Sequence, residues 1–516
     1  MKTLLLHLFF LPFISISQHE YLVYLKDKDG SKLVEFEERA IKRRALNDVQ
    51  IDANDLDVSD DYLNELAKVA IIKGKSRWMN SVYLQSKLSS EELKAKFDFI
   101  RSVSEINYTS PTKIRKDDLN VIESKSVNYG VADTQIRQIG IDCMHNDGFY
   151  GEGIYLAVID AGFKGMDTIH YFDSTFINGR VLDQFDFVNG AGVFDYSNHG
   201  TAVSSCIFSF KQDGGQDDFS GGAPRVDVAL YVSEDVFTES IAEEFNLVQA
   251  LERCDTKGVQ IANISLGYTN FDNSAENHPY SDLDGNTTIA AKGVNTAVSK
   301  GIIVVAAAGN EGPNTISTPC DADSCLCVAA VDNQGNYAFF SSVGPSSDGQ
   351  VKPDVAATGW NTWIVDDFGN LVQGSGTSFA SPMMCGGVAC LIQAHPTMQA
   401  YDIIEAVRAS GSQFNNPDQY LGYGIADMCT AHQDLTNQSA GIQTLEEKYH
   451  VYPNPAQNTL SIKGLNESIT VSIVDALGRQ VWKENVSVEG TIDVSSLSSG
   501  YYQLIINTSK VSFVKR

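Results

Sequence analysis

The chain has 516 residues, 43% of them hydrophobic and 20% charged, which is too long for one compact core and points to roughly three units that each bury one. Its 38 Lys+Arg against 65 Asp+Glu leave a formal charge of −27, a field that repels phosphate backbones and anionic lipid heads, so nucleic acid is excluded as an expected partner. The charge is uneven: residues 18–126 hold 19 basic and 20 acidic side chains, residues 450–516 hold 6 and 5, and the stretch between holds 12 and 40 together with all nine cysteines.

In chain order, Lys2 precedes an apolar run over residues 4–14, and Ser15, Ile16 and Ser17 form a small-x-small cleavage pattern, so residues 1–17 read as a secretory signal. No later stretch reaches the roughly 18 apolar residues of a spanning helix. Export permits disulfides, and an odd number of cysteines leaves at least one thiol free or paired with another chain. A bridge from Cys320 to Cys325 or Cys327 is expected, whereas Cys206, Cys385 and Cys390 sit among small apolar residues and read as inert buried thiols.

Residues 18–126 form a small α+β unit: residues 21–25 and 81–85 alternate as strands, and Ser89 with Glu92 makes a capping box for a helix running through Phe97. Across residues 127–435 the apolar runs at 154–160, 226–232, 260–267 and 301–310 alternate with helical stretches, which predicts an α/β unit of parallel βαβ elements with function at the carboxyl ends of its strands. A polar link occupies 436–449. From residue 450 onward the period becomes that of short alternating strands with turns, an all-β sandwich over 450–516.

Four positions carry chemistry. Asp160 ends a buried apolar strand, which sets a carboxylate at the rim of the sheet; His199 opens a helix of small residues; Ser378 opens another after a Gly-rich approach; Asn310 ends the small-residue strand Ala306, Ala307, Ala308, Gly309. Each has an ordinary role when taken alone, as a cap or a turn. Together, Asp, His and Ser in that order match one of the convergent serine triads. A serine hydroxyl is a poor nucleophile until an imidazole takes its proton, the carboxylate fixes that imidazole's tautomer, and the Asn310 amide is placed to meet a developing oxyanion.

With these residues the block resembles the subtilisin-like serine peptidases. The strings VIDAGF, NHGTAVSS, SLG, AAAGNEGP and GTSFASP follow one another in family order. The resemblance implies a parallel sheet flanked by helices and an endopeptidase that works through an acyl-enzyme intermediate on protein or peptide substrates. Asp160, His199 and Ser378 would be its triad, Asn310 its oxyanion donor, and Ser265, Leu266 and Gly267 the strand edge that pairs with substrate. It places Gly221, Gly222, Ala223 and Pro224 at the start of the opposing substrate strand. It implies no cofactor for the chemistry and, in many members, structural calcium; Asp282, Asp284 and Asn286 offer oxygens, but in an order that reads as a polar turn before a helix, and no metal ligands are assigned.

One departure stands out, since Ala161 replaces the Ser or Thr usual after the catalytic Asp and removes a hydroxyl that supports the carboxylate. Small side chains at 265–267 and 306–309 leave room for a bulky P1 residue, with Glu311 at the edge for a basic one. The first unit resembles a propeptide that assists folding and then inhibits, cut near residues 122–129, its basic residues docking on the acidic block with a salt-screened attraction. The last unit, with YPNPAQNTL, ALGRQ, LSSGYYQLII and the final Val514, Lys515 and Arg516, resembles the sorting domain of type IX secretion. The expected partners are therefore substrate, the chain's own propeptide and the secretion machinery, and the expected location is the cell surface or the exterior. Two other functions remain open on sequence: a surface protein that binds without cleaving, which Ala161 favours, and an esterase or acyl transferase using the same triad.

Overall fold

A computed structural model describes residues 19–106, 129–446 except 216, and most of 450–515; the signal pattern and all but Tyr129 of the expected cut region lie outside the described residues. The first compact unit runs to His432 and the second from Gln433.

Strands β1 (His19–Leu25), β2 (Ala70–Ser76), β3 (Ser81–Ser86) and β4 (Ile100–Ile106) form an antiparallel sheet in the order β2-β3-β1-β4, accompanied by α1 (Glu38–Leu46), α2 (Asp60–Ala67) and α3 (Ser90–Lys96). The expected capping box is present: the Glu92 N–H donates to Ser89 Oγ at 3.2 Å and the Ser89 N–H to Glu92 Oε2 at 2.8 Å. Side chains alternate across a strand, and both faces of β1 are used. Tyr21, Val23 and Leu25 pack with Leu66 of α2 and Leu93 of α3, while Leu22 joins Tyr83, Ala242 and Phe245 in a second cluster. This second face lies on the next block.

That block runs α4 (Asp133–Gln138), α5 (Ile141–Asn146), β5 (Tyr155–Asp160), α6 (Asp173–Ile177), β6 (Val181–Asp186), α7 (His199–Phe208), a short pair β7 (Phe210–Lys211) and β8 (Phe219–Ser220), β9 (Asp227–Val232), α8 (Ile241–Lys257), β10 (Ile261–Ile264), α9 (Ile289–Ser299) and β11 (Ile303–Ala307). There follow β12 (Leu326–Val331), β13 (Val355–Thr358), a hairpin of β14 (Thr362–Val365) and β15 (Leu371–Gly374), α10 (Thr377–Ala394), α11 (Ala400–Ala409) and α12 (Met428–Glu446). Seven strands form one parallel sheet in the order β13-β12-β11-β10-β5-β9-β6. Helices cover both faces, so the central strands are buried throughout and read as unbroken apolar runs. Tyr155, Ala157 and Ile159 face a core shared with α8 and α9, and α10, buried along almost its whole length, crosses the sheet with α7 beside it. From β5 the chain builds toward β6 and β9 on one side and β10 to β13 on the other, so the crevice where ligands gather falls at the carboxyl ends of β5 and β10.

Cys320 is bonded to Cys327, as the spacing allowed, and Cys143 of α5 to Cys429 of α12. α12 continues through the polar link as far as Glu446, a run free of proline in which Gln, Leu, Ala and Glu favour helix.

In the second unit β16 (His450–Tyr452), β17 (Thr459–Lys463) and β20 (Thr491–Asp493) form one antiparallel sheet, and β18 (Ile469–Asp475), β19 (Gln480–Val486), β21 (Gly500–Ile506) and β22 (Ser509–Lys515) the other, in the order β19-β18-β21-β22. Leu460, Ile462 and Ile492 from the first sheet share a core with Val471, Ile473, Leu504 and Phe513 from the second. Among the described residues no helix is long and apolar enough to cross a membrane.

Candidate active site

Asp160 is the last residue of β5 and is fully buried. The chain leaves it through Gly162 at φ +142°, where a Cβ would lie 2.9 Å from the Ser197 nitrogen. A Cβ on Gly200 would run into the Gly162 oxygen, which instead accepts the Gly200 N–H at 2.9 Å. These two glycines let residues 197–200 close on the strand end. His199, the first residue of α7, consequently meets Asp160, Nδ1 to Oδ1, at 2.8 Å, and its own N–H is held by Ser197 Oγ at 3.1 Å. The same Oδ1 accepts the Ala161 N–H at 2.7 Å. The other oxygen, Oδ2, is buried and has no partner among the described residues.

Ser378 stands at the start of α10, 9% exposed. Its Oγ donates to the Ser265 carbonyl at 3.1 Å, and Ser265 Oγ donates to the Ser378 carbonyl at 2.9 Å, so the end of β10 and the start of α10 grip each other. The imidazole of His199 lies beside the next residue, with its ring centroid 6.3 Å from that of Phe379. Asn310 is exposed just beyond β11. Its Oδ1 accepts the Thr377 N–H at 2.9 Å and the Thr377 hydroxyl at 3.0 Å, which leaves Nδ2 as the end of the amide available as a donor. The four residues are thus brought together at one rim of the sheet. Leu266 and Gly267 run past Ile264, the last paired residue of β10, half-buried and exposed respectively.

Gly221, Gly222, Ala223 and Pro224 do not join them. All four are buried, and the N–H groups of the first three donate to the carbonyls of Ser209, Cys206 and Ile207 at 2.8, 2.9 and 2.6 Å. They lead into the amino end of β9, where a Cβ on Gly222 would meet Gly386 of α10 at 3.3 Å. A packing seam, not a substrate strand, explains their small size. The segment beside the rim is residues 233–239: Ser233 N–H donates to the Asp160 carbonyl at 3.1 Å, and Tyr268, just past Gly267, donates its hydroxyl to Glu234 Oε1 at 2.6 Å. Burial, with Glu239 nearby, pushes the Glu234 carboxyl up to about 8. The capping box of Ser240 and Glu243, which ends this segment, was its available sequence signal.

The oxygens of Asp284 are engaged in a turn: Oδ1 accepts the N–H groups of Asn286 and Thr287 at 2.9 and 2.7 Å, and Oδ2 the Thr287 hydroxyl at 2.8 Å, just before Thr288 caps α9. Asp284 thus caps the turn before α9, and among the described residues no group of three or more His, Cys, Asp or Glu is arranged to hold a cation. Cys206, Cys385 and Cys390 are buried, and burial pushes their thiols up, Cys206 to about 12, away from thiolate chemistry.

Residues 151–424 match a family model described as the subtilase family, residues 20–121 one described as the peptidase S8 propeptide domain of Bacteroidota, and residues 450–516 one described as a secretion system C-terminal sorting domain. Subtilisin DY of Bacillus licheniformis is 28% identical over 316 residues, 60% of this chain and 100% of that protein. Subtilisin BL of Lederbergia lenta is 27% identical over 305 residues, 59% of this chain and 98% of that protein. Among solved structures, MycP1 from the ESX-1 type VII secretion system covers 63% of this chain and 91% of its own, at 21% identity and a TM-score of 0.48.

Proposed function

The chain belongs to the subtilase family, and from that premise we propose that Asp160, His199 and Ser378 are its catalytic triad and Asn310 its oxyanion donor. That it is a serine-type endopeptidase follows from the family and its subtilisin relatives; the residue roles are our reading. The observation that carries them is the 2.8 Å bond between buried Asp160 and His199 Nδ1. A carboxylate there holds the proton on Nδ1, so Nε2 is left as the base.

Rotation about its Cα–Cβ bond takes Ser378 Oγ off the Ser265 carbonyl. Oγ then attacks the scissile carbonyl carbon as His199 Nε2 takes its proton, and the oxyanion is met by Asn310 Nδ2 and the Ser378 N–H, one of the unpaired donors at the start of α10. His199 returns the proton to the leaving amine, and water activated in the same way releases the acyl group. Substrate backbone lies along Ser265, Leu266 and Gly267, with residues 233–239 as the opposite wall. Small residues at 306–309 admit a bulky P1 side chain, and exposed Glu311 favours a basic one. Residues 18–126 act as the propeptide, residues 127–435 as the enzyme, and residues 450–516 as the address that takes the protein to the surface or exterior by type IX secretion.

Casein hydrolysis by the purified protein, measured beside Ser378→Ala, tests the site. We expect activity to vanish in the variant with the fold intact, and a covalent serine-directed inhibitor to label Ser378 alone. Turnover that survives the substitution rules the assignment out, and hydrolysis of esters without peptides points to an acyl transferase or esterase.

A further inference from the structure

The first block packs along α8 and α9: Leu22, Tyr83 and Ile106 lie against Ala242 and Phe245 near the start of α8, and a second, polar contact forms at the amino ends of β10 and β11, where α8 and α9 terminate. Arg43 of α1 donates Nε to the Lys300 carbonyl at 3.1 Å, Nη1 to the Val259 carbonyl at 2.7 Å and the Cys254 carbonyl at 3.4 Å, and Nη2 to the Asp255 carbonyl at 3.2 Å and to the Asp255 carboxylate. Arg44 reaches the same carboxylate through Nε and Nη2 at 3.1 and 3.2 Å, with Asp55 of its own block on its other side. Arg77 arrives from past the end of β2, Nη2 to Asp255 Oδ2 at 2.8 Å. Glu252, one turn back on α8, receives the Ser76 hydroxyl at 2.6 Å and the N–H groups of Arg77 and Trp78 at 3.1 and 2.9 Å. The three arginines are each about 5% exposed and Asp255 is not exposed at all.

The last carbonyls of a helix have no partner within it. A planar guanidinium, with five donors in a fixed fork, can span several of them and a carboxylate at once; an ammonium, with three donors on one atom, cannot. We propose that the ends of α8 and α9 with Asp255 and Glu252 form a guanidinium-binding site on the enzyme block, and that Arg43, Arg44 and Arg77 hold the first block there after the chain between residues 106 and 129 has been cut. The idea rests on the propeptide reading for the event of cutting, not for the contact. It also alters an expectation drawn from charge alone. Lys257 with Glu37 and Arg39 with Asp227 are rim pairs that salt screens, but the arginine cluster lies out of solvent and holds in salt.

The test uses full-length Ser378→Ala with a recognition sequence for a site-specific protease placed within 107–128, so that nicking does not depend on the protein's own activity. After nicking, the two pieces are followed by gel filtration. They should co-elute in concentrated sodium chloride and separate at least about tenfold faster in guanidinium chloride at the same, sub-denaturing concentration. Arg43→Lys with Arg44→Lys should lose retention by at least about tenfold, while Lys257→Ala in high salt should not change it. Equal release by the two salts, or separation of the parent pieces in sodium chloride, overturns the proposal without need of a variant; so does a folded double-lysine protein that stays together. A Ser378 enzyme found inactive on casein would remove the catalytic reading and leave this result standing.

Discussion

Asp160 has one carboxylate oxygen with two donors and one with none. A buried acceptor without a donor costs about 1–3 kcal/mol, and Ala161, with no hydroxyl, is the residue beside it. Ala161→Ser offers the missing donor, and we expect it to stabilise the fold by about 1 kcal/mol in urea titration, with peptide hydrolysis retained. Asn310→Ala removes the amide donor and with it the Oδ1 acceptor that holds Thr377; loss of the equivalent kind of donor in a subtilisin lowers kcat by about 10²- to 10³-fold, and a drop of at least that size is expected here. That these positions would meet at one rim was legible in sequence, because the proposed triad chemistry demands particular residue types and the strand and helix ends supply them in order. Residues 221–224 were misread for a physical reason: a Gly-rich run signals close backbone approach, and nothing in the string says whether the approaching backbone is substrate or, as found, α10. The pairing of Arg43 with Asp255 spans 212 residues and leaves no local pattern at all.

The connection from β9 to α8 holds a carboxyl displaced far from its ordinary range. Glu234, near Asp160 and hydrogen-bonded to Tyr268 and Ser233, is raised from 4.5 to about 8 by burial first and by Glu239 after it. A carboxyl raised on folding favours the native state fully below its unfolded value, and that contribution is lost as pH climbs through the folded value. Glu234→Gln should therefore match the parent near pH 4 and become progressively more stable than it up to pH about 8, beyond which the gap stays constant; unfolding midpoints across that window check it. A constant gap at every pH would show the carboxyl titrating normally. Elements such as β5, β9, β10 and β11 were visible as apolar runs because helices cover both faces of the sheet. The helical path of 436–446 was not, since its polar side chains mark neither face and only the absence of proline hinted at continuity.

At the scale of the whole molecule, the shifts in charge and period divide the chain in three; the matched families fall on 20–121, 151–424 and 450–516, and the first two blocks pack as one compact unit. Deleting the chain from His450 should leave casein hydrolysis unchanged and keep the protein in the cell envelope; full secretion of the truncated form would contradict the address reading. N-terminal sequencing of secreted protein should find a start near residues 122–129, and a start at Gln18 in fully active enzyme would contradict removal of the first block. With residues 19–106 still docked, the bond from His199 to Asp160 and the hold of Asn310 on Thr377 are already made. On the proposed triad, Ser378 has then to turn about its Cα–Cβ bond to leave the Ser265 carbonyl, a motion of picoseconds to nanoseconds. On this reading maturation is an unveiling and not a construction: after the cut, turnover should rise as a single exponential whose rate equals that of first-block departure, with no slower phase behind it.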